Sequence, residues 1–192
     1  MNNNSNVVIF DKEYFKNMTF DEVTDWINEI RHELVGSAIF TKNNSLTSKL
    51  VRWAESWSCK DNDFKPSHTG SIIAKNGEIY LFDMKPPKSS IQPLSDFLLY
   101  TEDDYLLVMR NFKLNTKMFS ANISYHIGEF YPYLSALRSV FTKRRTKYVR
   151  HCSEMHLTEL QKQGLFTDIN PEITPDELLH LLIDKNNKEV MS

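Results

Sequence analysis

Apolar residues recur at helical spacing after Thr19: Phe20, Val23, Ile27, Ile30 and Leu34 fall on one face. Thr19 with Glu22 forms a capping box, so a helix is predicted from there to about Val35. Gly36 to Phe40 reads as a turn into a strand. Ser45 can cap a second helix carrying Leu46, Leu50, Val51, Ala54 and Trp57, and the polar stretch Ser58 to Pro66 follows as a loop. Two apolar-rich runs between Ser67 and Met84 flank Asn76-Gly77, the preferred pair for a two-residue type I′ hairpin. Pro86-Pro87 closes the second run.

Beyond the hairpin, Pro93 to Tyr100 predicts a short helix and Tyr105 to Phe112 a strand. Glu129 to Lys143 predicts a helix that tolerates Pro132 near its start. Cys152 to Gln163 is helical with Gly164 as its stop. A second capping box, Thr174-Pro175-Asp176-Glu177, opens a helix ending near Ile183. Strands and helices mix without a βαβ rhythm, so the fold class is α+β. Residues 1–18 read as a loose N-terminus, 19–184 as one domain and 185–192 as a frayed end. A chain of 192 residues with 41% hydrophobic content is long enough for one real core.

Charge changes the picture little. Lys+Arg 23 against Asp+Glu 25 gives a net charge of −2, so no overall field favours a specific nucleic-acid partner. One basic run stands out: Lys143, Arg144, Arg145, Lys147 and Arg150. It is either a solvated segment or a contact for an anion or lipid headgroup. Two cysteines make no disulfide framework. No basic-then-apolar leader and no run of about 20 apolar residues is present. The expectation is a cytoplasmic protein, or one that a phage or virus carries.

The hairpin register has a chemical consequence. With Asn76 and Gly77 as the loop, Lys75 pairs with Glu78, Gly70 with Asp83 and His68 with Lys85. His68 and Asp83 are then diagonal neighbours on one face, about 7–8 Å apart at the backbone and within reach of each other's side chains. Gly70, Ile72, Ala74, Ile79 and Leu81 complete that face. It is apolar, and small near His68, as a closely packed covering helix requires.

Cys152 falls where its helix begins. Free N–H groups and the helix dipole favour a thiolate there, and Arg150 and His151 add positive charge. Cys152, His68 and Asp83 thus form a candidate set of thiol nucleophile, base and orienter of the base. A lone buried cysteine, a core-edge histidine and a strand-end aspartate are the bland alternatives. Cys59 lies in a polar loop without a helix start and reads as an incidental thiol. Cys152 and His156 are four apart, a permitted zinc spacing that His151 and His68 could complete. The chain carries no CxxC or HExxH, so no metal is expected. His32, His126 and His180 read as surface or boundary residues, and Glu154 as a favourable charge in its helix's first turn.

Ser67-His68-Thr69-Gly70, then Asp83, then Cys152-Ser153-Glu154 with Gly164, resembles the circularly permuted NlpC-type papain-like cysteine hydrolases, the YiiX/YaeF-like group. Gly36-Ser37-Ala38-Ile39-Phe40 matches that family's early strand, and Ile173-Thr174-Pro175-Asp176-Glu177-Leu178 its Thr-Pro-x-x-Leu tail. The likeness spans roughly residues 36 to 180. Ser37 stands where aspartate is usual, and Asp83 where glutamate is common.

The resemblance implies a papain-like fold with an antiparallel sheet and packed helices. It also implies a Cys152–His68–Asp83 triad working through a thioester acyl-enzyme, without a cofactor. The backbone N–H of Cys152 is the natural oxyanion donor, and the Tyr148 hydroxyl is a weaker candidate that can equally be a packing group. Substrates of the family include cell-wall peptides. Relatives of the lecithin–retinol acyltransferase type act on lipid acyl groups, so a peptide or an acyl lipid is the expected partner. The lipid reading adds peripheral membrane contact through the basic run and Phe130-Tyr131-Pro132-Tyr133. A non-catalytic role, such as a viral structural component, is the third reading.

Overall fold

The computed structural model describes residues 8–42, 64–85, 87–130 and 152–188. The helices expected from Ser45 and from Glu129, the thiol of Cys59, the basic run, Tyr148, Arg150 and His151 lie outside these residues, Glu129 and Phe130 excepted. The described chain is α+β. Six antiparallel strands form one sheet in the order β1-β6-β2-β3-β4-β5. The strands are β1 (Ile9–Asp11), β2 (Ala38–Lys42), β3 (His68–Lys75), β4 (Glu78–Asp83), β5 (Ser90–Pro93) and β6 (Asp104–Val108).

The β3–β4 hairpin forms in the register expected from its turn. Lys75 opposes Glu78 and Gly70 opposes Asp83. Asn76 and Gly77 take φ of +51° and +87°, which only a type I′ turn of such residues accepts readily. Gly70, however, makes room within the sheet and not for a covering helix. A Cβ there would lie 2.5 Å from Leu81 Cδ1 and 3.2 Å from the Phe82 carbonyl oxygen.

The predicted helix after Thr19 is two. α2 (Phe20–Glu29) starts at the capping box, where the Thr19 N–H donates to Glu22 Oε2 at 2.7 Å. It breaks at Ile30, and α3 (Arg31–Leu34) follows. Phe20, at the first helical position, is 46% exposed and no part of the buried face that Val23, Ile27 and Leu34 form. Arg110 captures carbonyls at the end of α3: its Nε donates to Val35 O at 2.5 Å and another guanidinium nitrogen to His32 O. Gly36 follows at φ +88°. A side chain there would meet Leu114 Cδ2 at 2.2 Å.

Residues 9–15, placed in the loose end by their sequence, are ordered into the fold. β1 pairs along β6, and α1 (Lys12–Phe15) begins at Asp11, whose side chain caps Tyr14 N. Phe15 is fully buried against Trp26 and Tyr105. β5 and α5 (Thr116–Tyr125) were also not expected from the pattern. β6 stops at Val108, short of Phe112. The remaining helices are α4 (Leu94–Tyr100), α6 (Cys152–Gln161) and α7 (Pro175–Lys188). α7 opens on its capping box, with Thr174 N donating to Glu177 Oε2 at 2.7 Å, and runs past Ile183.

Helices cover both sides of the sheet. Tyr105 shares a face with Thr41 and His68 through direct opposition. Its ring packs against Phe15 of α1 and Phe97 of α4, and its hydroxyl donates to Leu98 O at 2.9 Å. Ser71 points to the other face. There it meets His156 of α6, whose ring lies edge-on to Phe119 of α5. No helix among the described residues is long and apolar enough to cross a membrane.

Candidate active site

A local turn and the long-range docking of one helix build the site. Asn76-Gly77 sets the hairpin register. The register puts His68, first residue of β3, diagonal to Asp83, last residue of β4. The start of α6 brings Cys152 to that end of β3. His68 Nε2 hydrogen-bonds to Asp83 Oδ1. The other ring nitrogen, Nδ1, is then the one left for the Cys152 sulfur, which also accepts the backbone N–H groups of Thr69 and Ser153. Side chains of His68 and Asp83 are only 11% and 8% exposed, and Cys152 is buried.

Electrostatics follow from this packing. Burial alone would push the Cys152 thiol up. The His68 imidazolium and the two backbone donors outweigh burial and hold the thiol below its ordinary value. Burial would also push His68 down, but the Cys152 thiolate and the Asp83 carboxylate hold it up at about 10. Asp83 resists its own burial because His68, and then Lys85, keep it at about 2. The packing shifts Cys152 and His68 toward a thiolate–imidazolium pair, with a carboxylate behind the imidazole. Chemically it is a nucleophile with a proton donor beside it.

Helix α6 reaches the site from the Ser71 face of the sheet, not from the Gly70 face that the small residues pointed to. Its first residue, Cys152, meets His68. Ser153 is tied down next to Cys152, its hydroxyl donating to Ile173 O just before α7. Glu154 lies in the first turn of α6, as expected, and is 6% exposed.

His156, one turn along α6 from Cys152, does not join Cys152 in a ligand set. Its Nδ1 hydrogen-bonds Ser71 Oγ at 2.8 Å, and burial holds it down at about 4, so the ring is neutral. Among the described residues no three His, Cys, Asp or Glu side chains are arranged to hold a metal ion.

Asp83 has a further polar neighbour that the sequence pattern does not mark as part of a site. Lys85 Nζ lies 2.9 Å from Asp83 Oδ2, the oxygen not used by His68, and 3.8 Å from Asp103 Oδ2. The register already set Lys85 opposite His68. The signal lay in the hairpin, but a lysine just past a strand ordinarily reads as a solvated charge.

No protein-family model matches the chain, and no curated protein does.

Proposed function

We propose that this chain is a thiol-dependent hydrolase, an amidase or peptidase, on a permuted NlpC-type papain-like scaffold. One observation carries the reading: a buried cysteine at a helix start shares His68 with a buried aspartate. Cys152 is the nucleophile, His68 the general base and acid, and Asp83 the residue that orients His68 and stabilises its cation.

The reaction balances with these groups alone. The Cys152 thiolate adds to the amide carbon, and the oxyanion that forms takes the Cys152 backbone N–H. His68 passes its proton to the leaving nitrogen as the C–N bond breaks, leaving a thioester. His68 then takes a proton from water as the water oxygen adds to the thioester carbon. The C–S bond breaks, the acid leaves, and the thiolate–imidazolium pair returns.

An acyl-lipid ester is the second substrate class. Tyr125 and Phe130, 82% and 84% exposed, are the aromatic surface such a lipid would meet. The test is incubation of the full chain with panels of peptide amides and acyl-lipid esters, followed by intact mass. An acyl adduct on wild type that Cys152→Ala lacks supports the reading, and the panel that yields it names the substrate class. No adduct and an ordinary free-thiol alkylation rate would leave a non-catalytic protein.

A further inference from the structure

Cys152, His68, Asp83 and Lys85 form a row of alternating charge: thiolate, imidazolium, carboxylate, ammonium. Without Lys85 the row carries one net negative charge in a largely dry setting. Such a site binds a proton more tightly at every group, the thiolate included. Lys85 is placed to prevent this. It takes Asp83 Oδ2 at 2.9 Å while His68 holds Oδ1, so the carboxylate is gripped at both oxygens. A carboxylate gripped on both sides cannot rotate away from the imidazole.

We propose that Lys85 is a fourth, positioning member of the site, which neutralises Asp83 and fixes the carboxylate oxygen that faces His68. This inference deepens the thiol chemistry proposed above and rests on it. Lys85 does not touch the reacting atoms, and it acts through Asp83 and His68. Its side chain is 35% exposed and emerges into a cleft of about 390 Å³ lined also by Gln92, Asp96, Phe97, Tyr100 and Thr101. The charged and titratable groups facing Lys85 are Asp83 of β4, Asp103 before β6, and Asp96 and Tyr100 of α4. Asp103 at 3.8 Å is the weaker partner, so Asp83 is the group Lys85 serves.

The test needs no substrate. Cys152 of the full-length chain is alkylated with iodoacetamide across pH, the site of modification read by peptide mass. Lys85→Met should move the acid limb of the rate profile up by about one pH unit, making alkylation about tenfold slower below the limb with the same plateau. Lys85→Gln, which keeps an N–H donor but no charge, should move it similarly. Lys85→Arg should stay within about twofold of wild type, because the guanidinium restores charge and donors. A merely structural lysine would lower the denaturant midpoint without moving the limb. An unmoved limb in either folded neutral variant therefore overturns the proposal. Wild-type Cys152 reacting like a free thiol would instead sink the underlying thiol reading, a different and separable result.

Discussion

At the scale of single residues, reactivity should follow the charges around Cys152. Cys152 should alkylate about tenfold or more faster than Cys59 at about pH 6.5, because the helix start and His68 favour its thiolate. Peptide mapping after a brief iodoacetamide pulse measures both sites, and equal rates would count against a catalytic thiol. His68→Ala should slow Cys152 alkylation while leaving the circular dichroism spectrum unchanged. Asp83→Asn should lower any turnover by about 10²-fold or more, since an amide cannot stabilise the imidazolium. Asp83→Glu should keep more activity than Asp83→Asn, its longer arm still carrying the charge. Turnover equal to wild type in Asp83→Asn would reduce the site to a Cys–His dyad. His68 and Asp83 were legible as neighbours because an Asn-Gly turn dictates register locally. The buried, neutral state of His156 was not legible, because its Ser71 partner lies on a strand far upstream.

At the scale of elements, the strongest local signals formed as read: both capping boxes and the hairpin turn. Each is a set of contacts within a few residues, so nothing distant can easily override it. Edge strands β1 and β5 were not legible. They have three and four residues, too few to show alternation, and exist because a neighbouring strand offers hydrogen bonds. The end of α3 was equally hidden, since a guanidinium from after β6 takes its carbonyls. The crowding at Gly70 yields a prediction. Gly70→Ala should destabilise the fold by about 1–3 kcal/mol through the clash with Leu81 and the Phe82 carbonyl. A denaturant midpoint unchanged from wild type would show that Leu81 can give way freely.

At the scale of the whole molecule, the site's charges couple to folding. Asp83 is depressed from its ordinary 3.8 to about 2, so its stabilisation is present above 3.8 and is lost as pH falls through 2. His68 is raised from 6.5 to about 10, so its stabilisation is full below 6.5 and is lost as pH rises through 10. The pair therefore stabilises the fold most between those two ordinary values, about pH 4 to 6.5. Denaturation of wild type and Asp83→Asn across pH should show the largest gap, about 3 kcal/mol, inside that window. The gap should narrow on both sides, and a pH-independent gap would show that Asp83 acts by packing rather than by charge.

The sequence by itself determined the pieces whose physics is local. These are the hairpin register, the helix starts, the α+β class, and the placing of His68 beside Asp83 with a thiol at a helix N-terminus. Only the tertiary structure decided that the thiol meets that histidine, that α6 lies on the Ser71 face, and that Lys85 closes the row of charges. Turn and cap energies depend on residues a few positions apart. The docking of α6 depends on burial summed over distant segments, which no single stretch of the chain encodes.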